Sequence, residues 1–195
     1  MKFKTEKIAI FGTSADPPSN GHKIILEELS KEYDLVISYA SNNPSKIHKE
    51  NLFFRSLLLK TLINNLKNKK IKFDQDISSP WAVTTIKKCK EKYLCNYIDF
   101  VIGSDLLKEI HKWRNIIQIL KEVKLLIVPR ENFPINHENT NFITKNFGKY
   151  EISHLKIPKI SSSMIRENQD YDGVPKSLIS TIRVNNLYNP SNIDT

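Results

Sequence analysis

The sequence predicts an α/β fold: a doubly wound, mostly parallel sheet covered by helices on both faces, with a C-terminal helical segment. Three observations carry that prediction. Short apolar runs alternate with stretches of helical periodicity along the whole chain. The runs have the length and β-branched content of strands buried in a parallel sheet. The first of them, Ile8-Ala9-Ile10-Phe11, passes into a loop of small residues and prolines that ends in Gly21-His22, with helix formers from Lys23 to Lys31 behind it. At roughly 100–200 residues per domain, the 195 residues make one domain, with 189–195 expected as a frayed tail.

The opening stretch reads as strand, tight loop and helix. A loop of small side chains lets an anionic ligand approach backbone N–H groups, and the helix behind it aims its positive end at the same place. His22 stands at the mouth of that helix. No Gly-Lys-Ser/Thr follows the glycine, so this is not a Walker loop, and the spacing is not G-x-G-x-x-G. Taken alone, the loop fits phosphate binding and an ordinary strand–helix turn equally.

Asp34 to Ala40 is a second buried-strand run, and Ser41 to Lys49 is a polar loop. Asn51 to Leu66 carries Leu52, Phe53, Leu57, Leu59, Leu62, Ile63 and Leu66 at helical spacing. Ile71 to Ile77 is a weaker strand, and Trp81 to Tyr93 a helix with a lysine-rich outer face. Tyr97 to Gly103 is a strand that ends in Gly103-Ser104-Asp105 and leads into helical sequence through Leu120. Val123 to Val128 is another buried strand, closed by Pro129-Arg130. Glu131 to Asn146 is polar and holds a loop and a short helix. Tyr150 to Ile157 is the last strand, followed by a helix capped at Ser161-Ser162-Ser163. Asp170 to Gly173 turns, and Pro175 opens a terminal helix reaching Tyr188. In parallel sheets, ligands bind beyond the carboxyl ends of the strands, where strand order reverses. The polar residues after each strand therefore belong to one candidate set.

The net charge of +9 suits an anionic partner. The lysines are scattered, however, with one dense cluster at Lys67 to Lys72, in a chain rich in Lys, Asn and Ile together. That is a compositional habit, and neither nucleic acid nor membrane is expected as a partner. The two cysteines, Cys89 and Cys95, are too few and too oddly spaced for a structural zinc site. Free thiols suit a reducing cytosol. No signal-like region follows the basic start, and no apolar run approaches the ~20 residues of a membrane span. A soluble, cytoplasmic protein is expected. The other histidines, His48, His111, His137 and His154, show no metal-ligand spacing, and no protein-held metal is expected. Oligomeric state is not legible.

Two of the post-strand loops match one signature together. Gly21-His22 opening a helix resembles the (H/T)-x-G-H motif of nucleotidyltransferases, and Ile160-Ser161-Ser162-Ser163-Met164-Ile165-Arg166 resembles their I-S-S-T-x-I-R motif. Ile102-Gly103-Ser104-Asp105 with His111-Lys112-Trp113 resembles the I-G-x-D and H-K-W of nicotinate-nucleotide adenylyltransferases. Thr84-Thr85-Ile86, Asn43-Pro44-Ser45-Lys46 and Leu126 to Arg130 resemble that family's T-I-D-T-L, P-P-H-K and arginine-ended strand. The likeness runs from Lys7 to Leu187. Two departures mark a divergent branch: Ser19 stands where the first-loop pattern has a histidine, and Ser45 where the P-P-H-K loop has one.

The resemblance implies a Rossmann-like nucleotidyltransferase fold. It also implies transfer of the adenylyl group of ATP to nicotinate mononucleotide, with Mg²⁺ carried on the ATP phosphates. His22, Lys46 and Arg166 would be catalytic. ATP would be held by Gly12, Thr13, Ser14, Ser19, Gly21 and His22 of the first loop, by Gly103 and Asp105, and by Ser161, Ser162, Ser163 and Arg166. The acceptor would be held by Lys46, Thr85, Trp113 and Arg130. Other readings stand beside these: Trp113 as core, Asp105 and the three serines as helix caps, Arg130 as a surface residue. For the whole chain the alternatives are a sister enzyme with another acceptor, nicotinamide mononucleotide or phosphopantetheine, and a nucleotide-binding module without catalysis.

Overall fold

The computed structural model describes residues 7–44, 46–155, 157–158, 161–168 and 171–188. The expected tail at 189–195, Ser45 and Ile160 lie outside the described residues. The strands are β1 (Ile8–Thr13), β2 (Leu35–Ala40), β3 (Ile71–Phe73), β4 (Ile98–Gly103), β5 (Lys124–Val128) and β6 (Lys149–Ile152). The α-helices are α1 (Asn20–Glu32), α2 (Leu52–Leu66), α3 (Ala82–Tyr93), α4 (Ile116–Glu122), α5 (His137–Lys145), α6 (Ser162–Asn168) and α7 (Lys176–Val184).

The strands form one sheet in the order β3-β2-β1-β4-β5-β6, and every pairing is parallel. Strand order reverses between β1 and β4. Register follows the apolar pattern: Ile10 pairs Phe100, and Phe11 pairs Val101. The two-residue period sends alternate side chains to opposite faces. Ala9 and Phe11 join Leu26, Leu58, Leu59 and Leu178, from α1, α2 and α7, in one core. Ile8 and Ile10 join Ile86, Ile119 and Ile143, from α3, α4 and α5, in the other. Both faces are thus covered, as continuously apolar strands require.

Four boundaries differ from the sequence reading. β3 stops at Phe73 because Asp74 caps a 3₁₀ turn over Gln75–Ile77, its carboxylate accepting from Asp76 N–H. The Gln75 amide takes over the pairing, meeting both the N–H (2.9 Å) and the C=O (2.8 Å) of Ala40. After β4 the chain runs as a 3₁₀ helix over Ser104–Lys112 and resumes as α4 only after Asn115, whose φ of 54° breaks the helix. β6 is four residues long and lies at the sheet edge, largely exposed. α7 ends at Val184, because Asn186 takes a left-handed φ of 51° and Leu187 N–H closes on Ile182 C=O.

Candidate active site

The carboxyl ends of β1 and β4, at the reversal of strand order, open onto a cleft of about 660 Å³. Its first wall is the loop after β1. Gly12 is required there, since a Cβ would run into the Tyr39 ring. Thr13 Oγ1 accepts from Ala15 N–H at 3.2 Å, and Ala15 takes a left-handed φ of 50°. Ser19 is the N-cap of α1, and the four residues Ser19-Asn20-Gly21-His22 form a capping box with a histidine at its third helical position.

That box fixes the imidazole. Ser19 N–H donates to His22 Nδ1 at 2.9 Å, and the Ser19 hydroxyl lies 2.8 Å from the same nitrogen. With Nδ1 accepting a backbone N–H, the neutral ring carries its proton on Nε2. The ring is tilted against Phe11 at 6.1 Å and is buried. Burial, reinforced by the positive charges of Arg130 and Lys46, lowers the His22 pKa from 6.5 to about 3. His22 is therefore a neutral hydrogen-bond donor at pH 7. Ser19 lines the cleft, but the residue is 1 % exposed and its hydroxyl engages the imidazole.

Two charged residues that sequence reasoning left out of the site hold this wall together. The buried Asp16 carboxylate accepts from Lys49 N–H (2.7 Å) and Glu50 N–H (3.2 Å), and so binds the first loop to the loop after β2. Arg55, 2 % exposed, donates to the carbonyls of Ser14 (2.7 Å), Ser41 (2.9 Å) and Glu50 (3.1 Å). The signal for Arg55 was present in the sequence. It shares a helical stripe with Leu58, Leu59 and Leu62, and an arginine on an apolar face must find acceptors.

The opposite end of the chain closes onto the same loop. Ser161 Oγ caps α6 by accepting from Met164 N–H at 3.1 Å. Ser162 Oγ donates to Pro17 C=O at 2.8 Å, across 145 residues of sequence. Arg166 donates to Asp16 C=O, stands 3.8 Å from the Asp16 carboxylate and donates to Ser163 Oγ at 3.3 Å.

The far wall comes from β4 and β5. Asp105 sits between Arg130 Nε at 3.1 Å and Lys46 Nζ at 4.0 Å. Gly103 makes room for that group, because a Cβ would collide with Asp105 and lie 2.7 Å from Arg130 Nε. Ser104 accepts from Arg130 N–H (2.9 Å) and donates to Phe133 C=O (2.7 Å), which sets the turn after β5. Gly12, Thr13, Ser14, Gly21, Lys46, Ser163 and Arg166 all line the cleft with these residues.

Two expected acceptor residues do not line it. Thr85 is fully buried beside the Tyr39 hydroxyl. Trp113 packs edge-on against Phe100, with ring centroids 6.3 Å apart and planes at 84°. In both cases a neighbouring aromatic residue of the sheet, not the cleft, takes the side chain. Conversely, His48, to which no chemistry was given, lines the cleft. The arrangement thus gathers a neutral N–H donor, serine hydroxyls and three cations, Lys46, Arg130 and Arg166, around one hollow. Such a set suits a polyanionic ligand of the size of a nucleotide.

The sequence profile of the cytidylyltransferase-like family matches residues 10–168. A Synechocystis protein named "Probable nicotinate-nucleotide adenylyltransferase" is 30% identical over 197 residues, covering 93% of this chain and 98% of that one. The chain belongs to the nicotinate-nucleotide adenylyltransferase family of cytidylyltransferase-like proteins. A second member, the nicotinate-nucleotide adenylyltransferase of Bacillus subtilis, is 27% identical over 198 residues, covering 94% and 98% of the two chains. Among solved structures, the Plasmodium falciparum nicotinic acid mononucleotide adenylyltransferase complexed with NaAD superposes with a TM-score of 0.76 at 24% identity, over 94% of this chain and 97% of that one. At that identity the superposition establishes the nucleotidyltransferase fold.

Proposed function

We propose that this protein transfers the adenylyl group of ATP to nicotinate mononucleotide, releasing pyrophosphate and forming nicotinate adenine dinucleotide in NAD biosynthesis. The observation that carries the reading is the docking of Ser162 and Arg166 onto the loop that presents His22, at the sheet's switch point. A phosphate oxygen of the mononucleotide attacks the α-phosphorus of ATP. The bond from that phosphorus to the bridging oxygen breaks, and pyrophosphate leaves with the electron pair. No protein nucleophile takes part. Such a reaction asks the protein for alignment and charge neutralisation.

The residues divide that work. His22 donates Nε2–H to the reacting phosphate. Lys46 and Arg166 neutralise the phosphate chain, and Arg166 exchanges its hold on Asp16 for the triphosphate. The small residues Gly12, Thr13, Ser14 and Gly21 let the chain approach. Asp105 takes ribose hydroxyls, Gly103 leaves room beside it, and the serines at 161–163 hold the outer phosphates. Lys46 and Arg130 favour the acceptor's anionic groups. Mg²⁺ carried on the ATP phosphates would supply further charge neutralisation there. Among the described residues no three His, Cys, Asp or Glu side chains gather as a ligand set.

A second reading, a sister transferase with another acceptor, has one observation in its favour: Thr85 and Trp113 lie outside the cleft. Pyrophosphate release with ATP and a panel of acceptors separates the two. Nicotinate mononucleotide is expected to give the highest kcat/KM, ahead of nicotinamide mononucleotide, since it carries one more negative charge into a cationic cleft. Equal or reversed values refute the choice of acceptor.

A further inference from the structure

We infer that His48 is a further nucleotide-binding residue, whose Nε2 meets the phosphate chain of the nucleoside triphosphate. The inference rests on the ATP-dependent reading above. His48 lines the same cleft as His22. Its Nε2 is buried and has no hydrogen-bond partner among the described residues. A buried polar atom without a partner is destabilising, and the loss is recovered when a ligand supplies that partner.

The position of the residue is set by its neighbours. Lys49 and Glu50 N–H both bind the Asp16 carboxylate, so the backbone just after His48 is fastened to the floor of the first loop. Four charged groups act on the imidazole: Arg55, Asp16, Lys46 and Arg166. Three of them are cations, and with burial they hold the ring below its usual pKa. A neutral imidazole among cations attracts an acceptor oxygen, and the ligand atoms drawn to three cations are phosphate oxygens. Ser19, meanwhile, has turned its hydroxyl to His22. His48 thus supplies the cleft with a second imidazole from a position two residues beyond Lys46, where the P-P-H-K pattern has none.

The test is equilibrium binding of ATP and of adenosine to the full chain, compared between the unmutated protein, His48→Leu and His48→Gln. His48→Leu is expected to weaken ATP binding by about ten- to a hundredfold, the scale of a hydrogen bond to a charged group, and to leave adenosine binding unchanged. His48→Gln, which keeps an N–H donor of similar reach, should recover part of the loss. His48→Ala gives the same comparison if the leucine variant does not fold. Unchanged ATP affinity in the variants, or equal losses for ATP and adenosine, overturns the inference. Because the readout is ATP affinity, a failure of turnover with nicotinate mononucleotide would refute the proposed acceptor and not the His48 contact. An unmutated chain that bound no ATP would overturn both.

Discussion

His22 shows how much chemistry one local motif can settle. Its tautomer follows from a bond made three residues away, Ser19 N–H to Nδ1, and its charge from burial beside Arg130 and Lys46. Replacing it with alanine removes the Nε2–H donor. His22→Ala is expected to lower kcat by roughly two to three orders of magnitude, the scale of one lost oxyanion-type donor. Ser19→Ala removes the hydroxyl but keeps the backbone N–H on Nδ1. Its effect should be tenfold or less, since a neutral hydrogen bond contributes about 0.5–1.5 kcal/mol. Steady-state kinetics of the two variants rank them, and equal losses would assign the serine a direct role. The same imidazole links stability to pH. Its folded pKa of about 3 lies below the unfolded 6.5. As pH falls through 6.5, the unfolded chain takes up a proton that the folded chain refuses. The stability present above pH 6.5 is lost toward pH 3, by about 2 kcal/mol between pH 7 and pH 5. His48, also lowered, adds a loss of the same sign. Urea denaturation at the two pH values should show a weaker dependence in His22→Asn than in the unmutated chain. An unchanged dependence would mean that His22 titrates normally.

At the scale of elements, the site is an assembly of strand-to-helix connections that are fastened to one another. Arg55 of α2 joins the loop after β1 to the loop after β2 through three carbonyls. Arg55→Met keeps the length and apolar stem of the side chain but leaves those carbonyls short of a donor. A destabilisation of about 2–4 kcal/mol is expected, read as a lower urea midpoint, together with weakened ATP binding because the loop after β1 loses its brace. A variant as stable as the parent would show that water replaces the guanidinium at little cost. Strands and most helices were legible because apolar periodicity is a local property. Three of the four misread boundaries turn on single residues: Asp74 ends β3 by capping a turn, and Asn115 and Asn186 break helices by taking left-handed φ. The segment after β4 has helical periodicity and runs as 3₁₀ over Ser104–Lys112, a choice between two hydrogen-bond ladders that periodicity does not distinguish.

For the whole molecule, the decisive feature is that residues near opposite ends of the chain complete one cleft. ATP is then expected to act on both ends at once. At a hundred times its Kd it should add about 2.7 kcal/mol to the unfolding free energy and slow amide exchange in residues 12–22 and in residues 161–166 together. Protection confined to the first loop would argue that α6 plays no part in binding. The sequence by itself determined the α/β class, the helices and strands of both cores, and fourteen cleft-lining residues from Gly12 to Arg166. Each of those is carried by a pattern within a few neighbouring residues, or by a motif whose spacing is kept along the chain. Only the tertiary structure decided which way the side chains turn and what charge they bear. It turned Ser19 to His22, buried Thr85 beside Tyr39 and laid Trp113 against Phe100. It made Arg55 and Asp16 the fasteners of the loop after β1. These outcomes depend on partners that lie far away in sequence, and on a burial that lowers a histidine's pKa only once the sheet and its loops have closed around it.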